Sequence, residues 1–391
     1  TPFTDDEILL LKSAISLAGG NYAEKQVSFA LYGPANEWDV SQVTNMDGLF
    51  KNSNFDEDIS NWDTRNVTTM AETFSYSEFN GNISKWDTSK VTNMNAMFEW
   101  NFHFEGTGGL NTSVQTRKDA NGNDEKYLAW DVKNVTNMAL MFYGWSGRDY
   151  KFNGEISNWN TGNVVNMNSM FQWSYSFNQQ IGEKTVNFTS DGLDISYNAW
   201  DLQKIENGFR AMSGLTEMFR SAEAFNNGVN NSSEDENNVG NPLKFTFNPN
   251  LNSLRQMFRG AKAFNAPIYH WENTSSISNT ETMFQGASKF NQEIRTWDVT
   301  LLFTTDENNS STYTSTYEMF SGATAFLDNY EGYGAVKTPG QLFWTLYSAL
   351  DNDGNQITEG INGETISYNQ NPNYTEPESF SVLLDDPNDP D

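Results

Sequence analysis

Apolar positions along this chain recur at long range in a fixed order. Trp38-Asp39-Val40-Ser41-Gln42-Val43-Thr44-Asn45-Met46 returns as Trp62-Asp63-Thr64-Arg65-Asn66-Val67-Thr68-Thr69-Met70 and again from Trp86 to Met94, a period of 24 residues. The Trp column continues at Trp130, Trp159, Trp200, Trp271 and Trp297. A second column runs Phe50, Phe74, Phe98, Phe142, Phe171, Phe219, Phe258, Phe284 and Phe320, which makes nine copies. A third, usually Phe-Asn, runs Phe55, Phe79, Phe104, Phe152, Phe177, Phe225, Phe264, Phe290 and Phe326. Met70, Thr73 and Phe74 fall at i, i+3 and i+4, as do Met94, Met97 and Phe98, which predicts a short helical turn with one buried stripe. Ile59 and Trp62, and Ile83 and Trp86, keep a spacing of three, which predicts an extended or turning lead into the next copy. A unit this short has nothing of its own to bury an apolar edge against, so it must stack on its neighbours. The expected fold is an α/β repeat solenoid of about nine irregular repeats.

The ends predict caps. Residues 1–36 form an N-terminal helical cap: Thr4 and Glu7 make a capping-box signature, Ile8, Leu11 and Ile15 a stripe, and Gly19 a stop. Residues 37–327 form the repeats, and 328–384 a C-terminal cap with a helix from Thr338-Pro339 through Leu342, Phe343, Leu346 and Tyr347. Residues 385–391 are an acidic, Pro-containing tail. With Thr1 at the start, that tail leads us to expect a module of a longer, multidomain chain. Insertions near 105–126, 143–151, 182–196, 227–242 and 300–312 break the regular spacing. Surface insertions cost a repeat array little, and they decorate its edge.

Asn45, Asn93, Asn137 and Asn166 stand beside the methionines, and Asp39, Asp63, Asp87, Asp131, Asp201 and Asp298 follow tryptophans. Such columns are expected to accept hydrogen bonds from turn amides, coil after coil. The string Trp-Asp-x-Ser-x-Val-Thr-Asn-Met-x-x-Met-Phe, followed by Gly-Ala-x-x-Phe-Asn, resembles the BspA-like leucine-rich-repeat surface proteins. The match is clearest at 38–98, at 130–178 and at Met257-Phe258-Arg259-Gly260-Ala261-Lys262-Ala263-Phe264-Asn265, and spans roughly 22–327. The resemblance implies a leucine-rich-repeat-like, right-handed coil displayed outside a cell and used for adhesion or protein binding. It carries no catalytic residues.

Charge narrows the partners. With 23 Lys and Arg against 51 Asp and Glu, the net charge of −28 argues against nucleic acid and against a bare anionic membrane. No apolar run approaches the roughly 18 residues of a membrane span. Aromatics at 14% are too many for a disordered acidic chain, and the absence of cysteine excludes disulfides and thiolate metal sites. Strong acidity suits a salty exterior, where screening limits self-repulsion.

Two features are candidate chemistry. In the early copies the positions just after the column Phe hold Tyr76, Trp100, Tyr143, Trp145, Trp173 and Tyr175, where late copies have Gly260, Gly286 and Gly322. Large amphipathic rings at one edge suit sugar rings or a partner's apolar groups, and the bland reading is that they fill space beside insertions. Alternating oxygen ligands, Asp119, Asn121, Asn123 and Glu125 in one loop and Asp351, Asp353, Asn355 and Glu359 in another, suit calcium, and solvated turns are the alternative. No other cofactor is expected. His103 and His270 lie beside repeat aromatics with no nucleophile motif nearby, so we expect no enzyme. The expected role is an extracellular binding module for a cell-surface protein or glycan, with a lectin-like use of the aromatic stripe or a structural spacer as rivals. Ice binding, raised by Thr44, Thr68, Thr92 and Thr136, fits poorly with the irregular spacing.

Overall fold

The computed structural model describes residues 2–339 and Phe343, apart from 120, 191–192, 209–213, 230–238, 269–270, 296, 299, 304–314 and 331–334. Two antiparallel helices come first, α1 (Ile8–Ala18) and α2 (Tyr22–Tyr32). Leu11, Ala14, Ile15 and Ala18 of α1 are buried, and Ser28 of α2 donates its hydroxyl to the Ala14 carbonyl at 3.2 Å. Gly19 ends α1 as expected, but Thr4 caps nothing. The capping box belongs to α2, where Asn21 Oδ1 accepts from the Glu24 amide and Glu24 Oε2 accepts from the Asn21 amide at 2.7 Å. Asp5 turns instead to the first repeat and accepts from the amides of Thr44 (2.9 Å) and Asn45 (3.3 Å).

The repeats stack as successive coils. Parallel bridges join Asn45 to Thr69, Thr69 to Asn93, Asn93 to Asn137 and Asn137 to Asn166. The helical turns expected at Met70-Thr73-Phe74 and Met94-Met97-Phe98 are not formed; those stretches are consecutive reverse turns. The Thr73, Ser75 and Ser77 amides close turns onto the Met70, Glu72 and Phe74 carbonyls, while the amides between them leave the coil. Glu72, Phe74 and Tyr76 donate to the carbonyls of Asn95, Met97 and Glu99 in the next coil at 2.8 Å each. The i, i+3, i+4 spacing survives because turns of this kind also bring those side chains to one side. Glu72 and Tyr76, at φ +54°, bend the chain out of any helix.

All three columns are core. The Phe column stacks with ring centroids from 4.9 Å (Phe50–Phe74) to 5.8 Å (Phe284–Phe320) apart, and each ring meets the third-column Phe of its own coil at 3.8 to 4.9 Å. The column tryptophans are buried, and each indole N–H finds a carbonyl below it, as Trp62 does on Ala35 (2.8 Å) and Trp130 on Ile83 (2.9 Å). Stacked aromatic pairs add about 0.5–1.5 kcal/mol each beyond the area they bury. The coil that lacks a column Trp uses Phe245, 6.1 Å from Trp271, in its place, and Phe247 meets Trp271 edge-on at 5.0 Å. The Asp and Asn columns accept turn amides as expected, for example Asp87 from Ser89 (3.0 Å) and Asn166 from Asn168 (3.0 Å).

Two insertions are β-hairpins: β1 (Ser113–Lys118) with β2 (Asp124–Ala129), and β3 (Lys184–Ser190) with β4 (Leu193–Ala199). The first leans back on the early coils. Arg117 pairs with Asp87 and with Glu125, and Tyr127 Oη donates to the Lys85 carbonyl at 2.6 Å. At the far end a short helix α3 (Thr324–Tyr330) carries Phe326. The segment after it replaces a further coil: the Lys337 carbonyl accepts from Phe320, Thr338 Oγ1 from Glu318, and Phe343 meets Phe320 and Phe326 at 5.9 Å each. The rest of the expected C-terminal cap and the 385–391 tail lie outside the described residues.

Candidate binding surface

In every coil but that of Phe142, the turns that replace the helix fix one position, two residues after the column Phe, in the left-handed region. Tyr76, Trp100 and Trp173 sit there at φ +54°, +56° and +58°, Ser221 at +56°, and Gly260, Gly286 and Gly322 at +71°, +74° and +76°. Glycine adopts this conformation freely, whereas an L residue loses about 1–2 kcal/mol against its Cβ and carbonyl. A bulky ring is disfavoured there, although in this fold the buried column rings of Trp130 and Trp200 also sit at positive φ, +49° and +52°. The late-coil glycines are thus a backbone requirement, and the early-coil rings hold their places against it.

Five of the six expected aromatic residues form one chain of contacts. Tyr76 meets Trp100 edge-on at 4.2 Å, Trp100 meets Trp145 at 4.3 Å and Tyr143 at 6.4 Å, and Tyr143 meets Trp173 edge-on at 5.2 Å. In the coil of Tyr143 and Trp145 the left-handed slot is replaced by Gly144, where a Cβ would collide with the Trp173 carbonyl, so the rings come from either side of it. Tyr76 is 40% exposed and Trp145 48%, while Trp100, Tyr143 and Trp173 are half-buried. Tyr175 does other work: its hydroxyl accepts from the Gly147 amide at 3.2 Å and pins the 143–151 insertion. Trp100 Nε1 is hidden from solvent and has no acceptor among the described residues.

Charged groups frame the rings. Glu99, on the residue before Trp100, is half-buried; burial, then Glu72, raises its pKa against the Ser75 hydroxyl (3.4 Å) and Lys51. Burial, then Glu217 and Glu99, raises the Tyr143 phenol above its ordinary value. Arg220 lies over the Trp173 ring, 5.5 Å from its centre, and pairs with Glu217 at 3.0 Å. Sequence reading missed Glu99, Arg220 and Arg259, although the position after the column Phe would have collected them into one row.

The family described as a Mycoplasma protein of unknown function, DUF285, matches residues 22–124, 110–241 and 248–339, most of the chain. The chain belongs to the DUF285 family. The three matches fall in tandem, as a repeated unit requires. No curated protein and no solved structure matches.

In this DUF285 chain the first proposed calcium loop is the tip of the β1–β2 hairpin. Asp119 Oδ1 accepts from the amides of Asn121 and Asn123 at 2.8 Å each, bonds that outweigh desolvation and hold its pKa below the usual range. Glu125 turns away to Arg117 at 3.0 Å and Arg65 at 3.8 Å. The loop thus spends its best oxygens on its own turn. The second loop, Asp351, Asp353, Asn355 and Glu359, lies outside the described residues, as does His270. Among the described residues no three His, Asp or Glu side chains converge, and no helix is long and apolar enough to cross a membrane.

Proposed function

We propose that this chain is a non-catalytic binding module of a BspA-like surface protein, a leucine-rich-repeat-like, right-handed solenoid displayed outside the cell. It meets a cell-surface protein or glycan with the edge formed by Tyr76, Trp100, Tyr143, Trp145 and Trp173. The observation that carries the reading is the retention of bulky rings at positive φ in coils whose later counterparts use glycine. Filling space does not require that: Asn52, Ser221 and three glycines occupy the equivalent position in other coils. Contact area on rigid rings is a means of recognition with little entropic cost. A net charge of −28 keeps such a module soluble and limits unspecific contact with acidic surfaces.

The test compares retention of the wild-type module on host-cell and matrix surfaces with that of the Trp100→Gly and Trp173→Gly variants. The expected result is a loss of about tenfold or more in affinity, or about 1.4 kcal/mol, with each variant still folded. Retention unchanged in both variants would refute the reading and leave a spacer.

A further inference from the structure

We propose that the aromatic edge takes an acidic glycan, with sugar faces on the rings of Trp100 and Trp145, the sugar's anionic group on Arg220 and Arg259, and the Trp173 ring seating the Arg220 guanidinium. The proposal rests on the binding reading above and names its ligand class.

Arg220 and Arg259 occupy the same place in consecutive coils, one residue after Phe219 and Phe258, and the Ser221 amide joins the two coils by donating to the Arg259 carbonyl at 2.6 Å. Like charges on adjacent rungs repel. In a chain with 51 acids and 23 bases, that arrangement is conspicuous. Arg255 stands close by and is satisfied, at 3.0 Å from Glu281 and 3.9 Å from Glu217. Arg220 has Glu217. Arg259 makes no ion pair among the described residues; with the Gln256 amide turned to donate to Glu217, its oxygen accepts from Arg259 Nη1 at 3.0 Å. Burial, then Arg220, and also Arg255 lower the Arg259 pKa, against the pull of Glu217 and Glu318. Glu318 is itself held by the Gln285 amide. The half-buried Arg259 thus retains donors for an anion that the described residues do not supply.

The arginines continue the row of rings. The main chain runs from Trp173 to Arg220 by the Trp173 amide on the Arg220 carbonyl (2.8 Å), and the Arg220 guanidinium covers the Trp173 face. Ring faces accept the C–H side of a pyranose, and a guanidinium fork accepts a carboxylate or sulfate in two parallel bonds. Coils here advance by about one ring stack, 5.5 Å between Phe142 and Phe171 and between Phe171 and Phe219. That step is close to the advance per residue of an extended pyranose chain, so successive sugars meet successive coils. The row is flanked by Glu72, Glu99 and Glu217, which act against an acidic protein surface there.

The experiment is an array of neutral, carboxylated and sulfated oligosaccharides with hexaglutamate as the peptide control, probed with wild type, Arg259→Gln, Arg259→Lys and Trp173→Gly. Wild type is expected on acidic glycans alone. Arg259→Gln weakens it about tenfold, Arg259→Lys less, and Trp173→Gly at least as much as Arg259→Gln. Arg259→Gln melts no lower than wild type, since it removes a like-charged neighbour. Equal retention on neutral glycans, retention on hexaglutamate only, a blank array, or indifference to Arg259→Gln would each overturn the proposal. Protein binding that needs Trp100 and Trp173 but ignores Arg259 would sink the glycan and spare the binding reading. Binding indifferent to the rings as well would sink both.

Discussion

The coils from Tyr76 to Trp173 and those from Gly260 to Gly322 share one core and differ at one slot. Both halves stack their Phe pairs, both send the same amides to the next coil, and both, apart from the Phe142 coil with its Gly144, put the second residue after the column Phe at positive φ. The late half fills that slot with the residue the backbone prefers. The early half fills it with rings, although the same backbone disfavours them. Core architecture therefore does not dictate the aromatic edge, and the difference between the halves isolates what folding alone does not explain.

The largest test asks whether the cores are equal. Phe171→Ala and Phe284→Ala should each lose about 3–5 kcal/mol in denaturant unfolding, by similar amounts, since both rings are fully buried between stacked neighbours. A loss confined to one half would mean that the halves are not built alike. Next in size, Gly286→Trp should cost about 1–2 kcal/mol from its left-handed backbone, because a Cβ there meets only ordinary contacts, 3.7 Å from the Gly260 Cα. No measurable cost would remove the strain argument for the early rings. Trp100→Gly should change stability by less than about 1 kcal/mol, as relief of the backbone offsets the lost ring contacts. A drop like that of a core ring would assign Trp100 to the core.

The smallest effect is a pH slope. Burial raises the Glu99 pKa from its ordinary 4.5, so the folded state holds that proton to higher pH than the unfolded chain. The associated stability is full below the unfolded value and is lost as pH rises through the folded one. Glu99→Gln should therefore flatten the stability curve from about pH 4.5 upward and melt slightly higher at neutral pH. A curve of unchanged slope would mean that Glu99 is solvated.

Much of this was legible. Column identity gave the copy number, the buried Trp and Phe rows and the turn-capping Asp and Asn, because each side chain repeats its task at each coil. The local backbone was not, since i, i+3, i+4 spacing fits a helix and a run of turns equally. Gly48, Gly260, Gly286 and Gly322 were the available clue to positive φ. The first hairpin was announced by Asn121-Gly122, a strong hairpin-turn dipeptide, in the same loop whose alternating oxygens suit calcium. Asp191-Gly192 stands between β3 and β4 with the same signal. Among the site residues, the rings stood out by size, whereas Arg220 and Arg259 gained meaning only from being neighbours across coils.

The ladder of coil-to-coil hydrogen bonds also makes the stack electrically polar. The peptide unit of Thr73 and Phe74 accepts from Phe50 on one side and donates to Met97 on the other, and its equivalents in every coil point the same way. Three such rows, through the units ending at Glu72, Phe74 and Tyr76, align head to tail along the axis. By analogy with a helix, each row leaves about half an elementary charge at its ends, positive toward the last coil. The closing segment answers with acceptors, the Lys337 carbonyl and Thr338 Oγ1, so what may follow the last coil is chosen by the direction of the peptides before it.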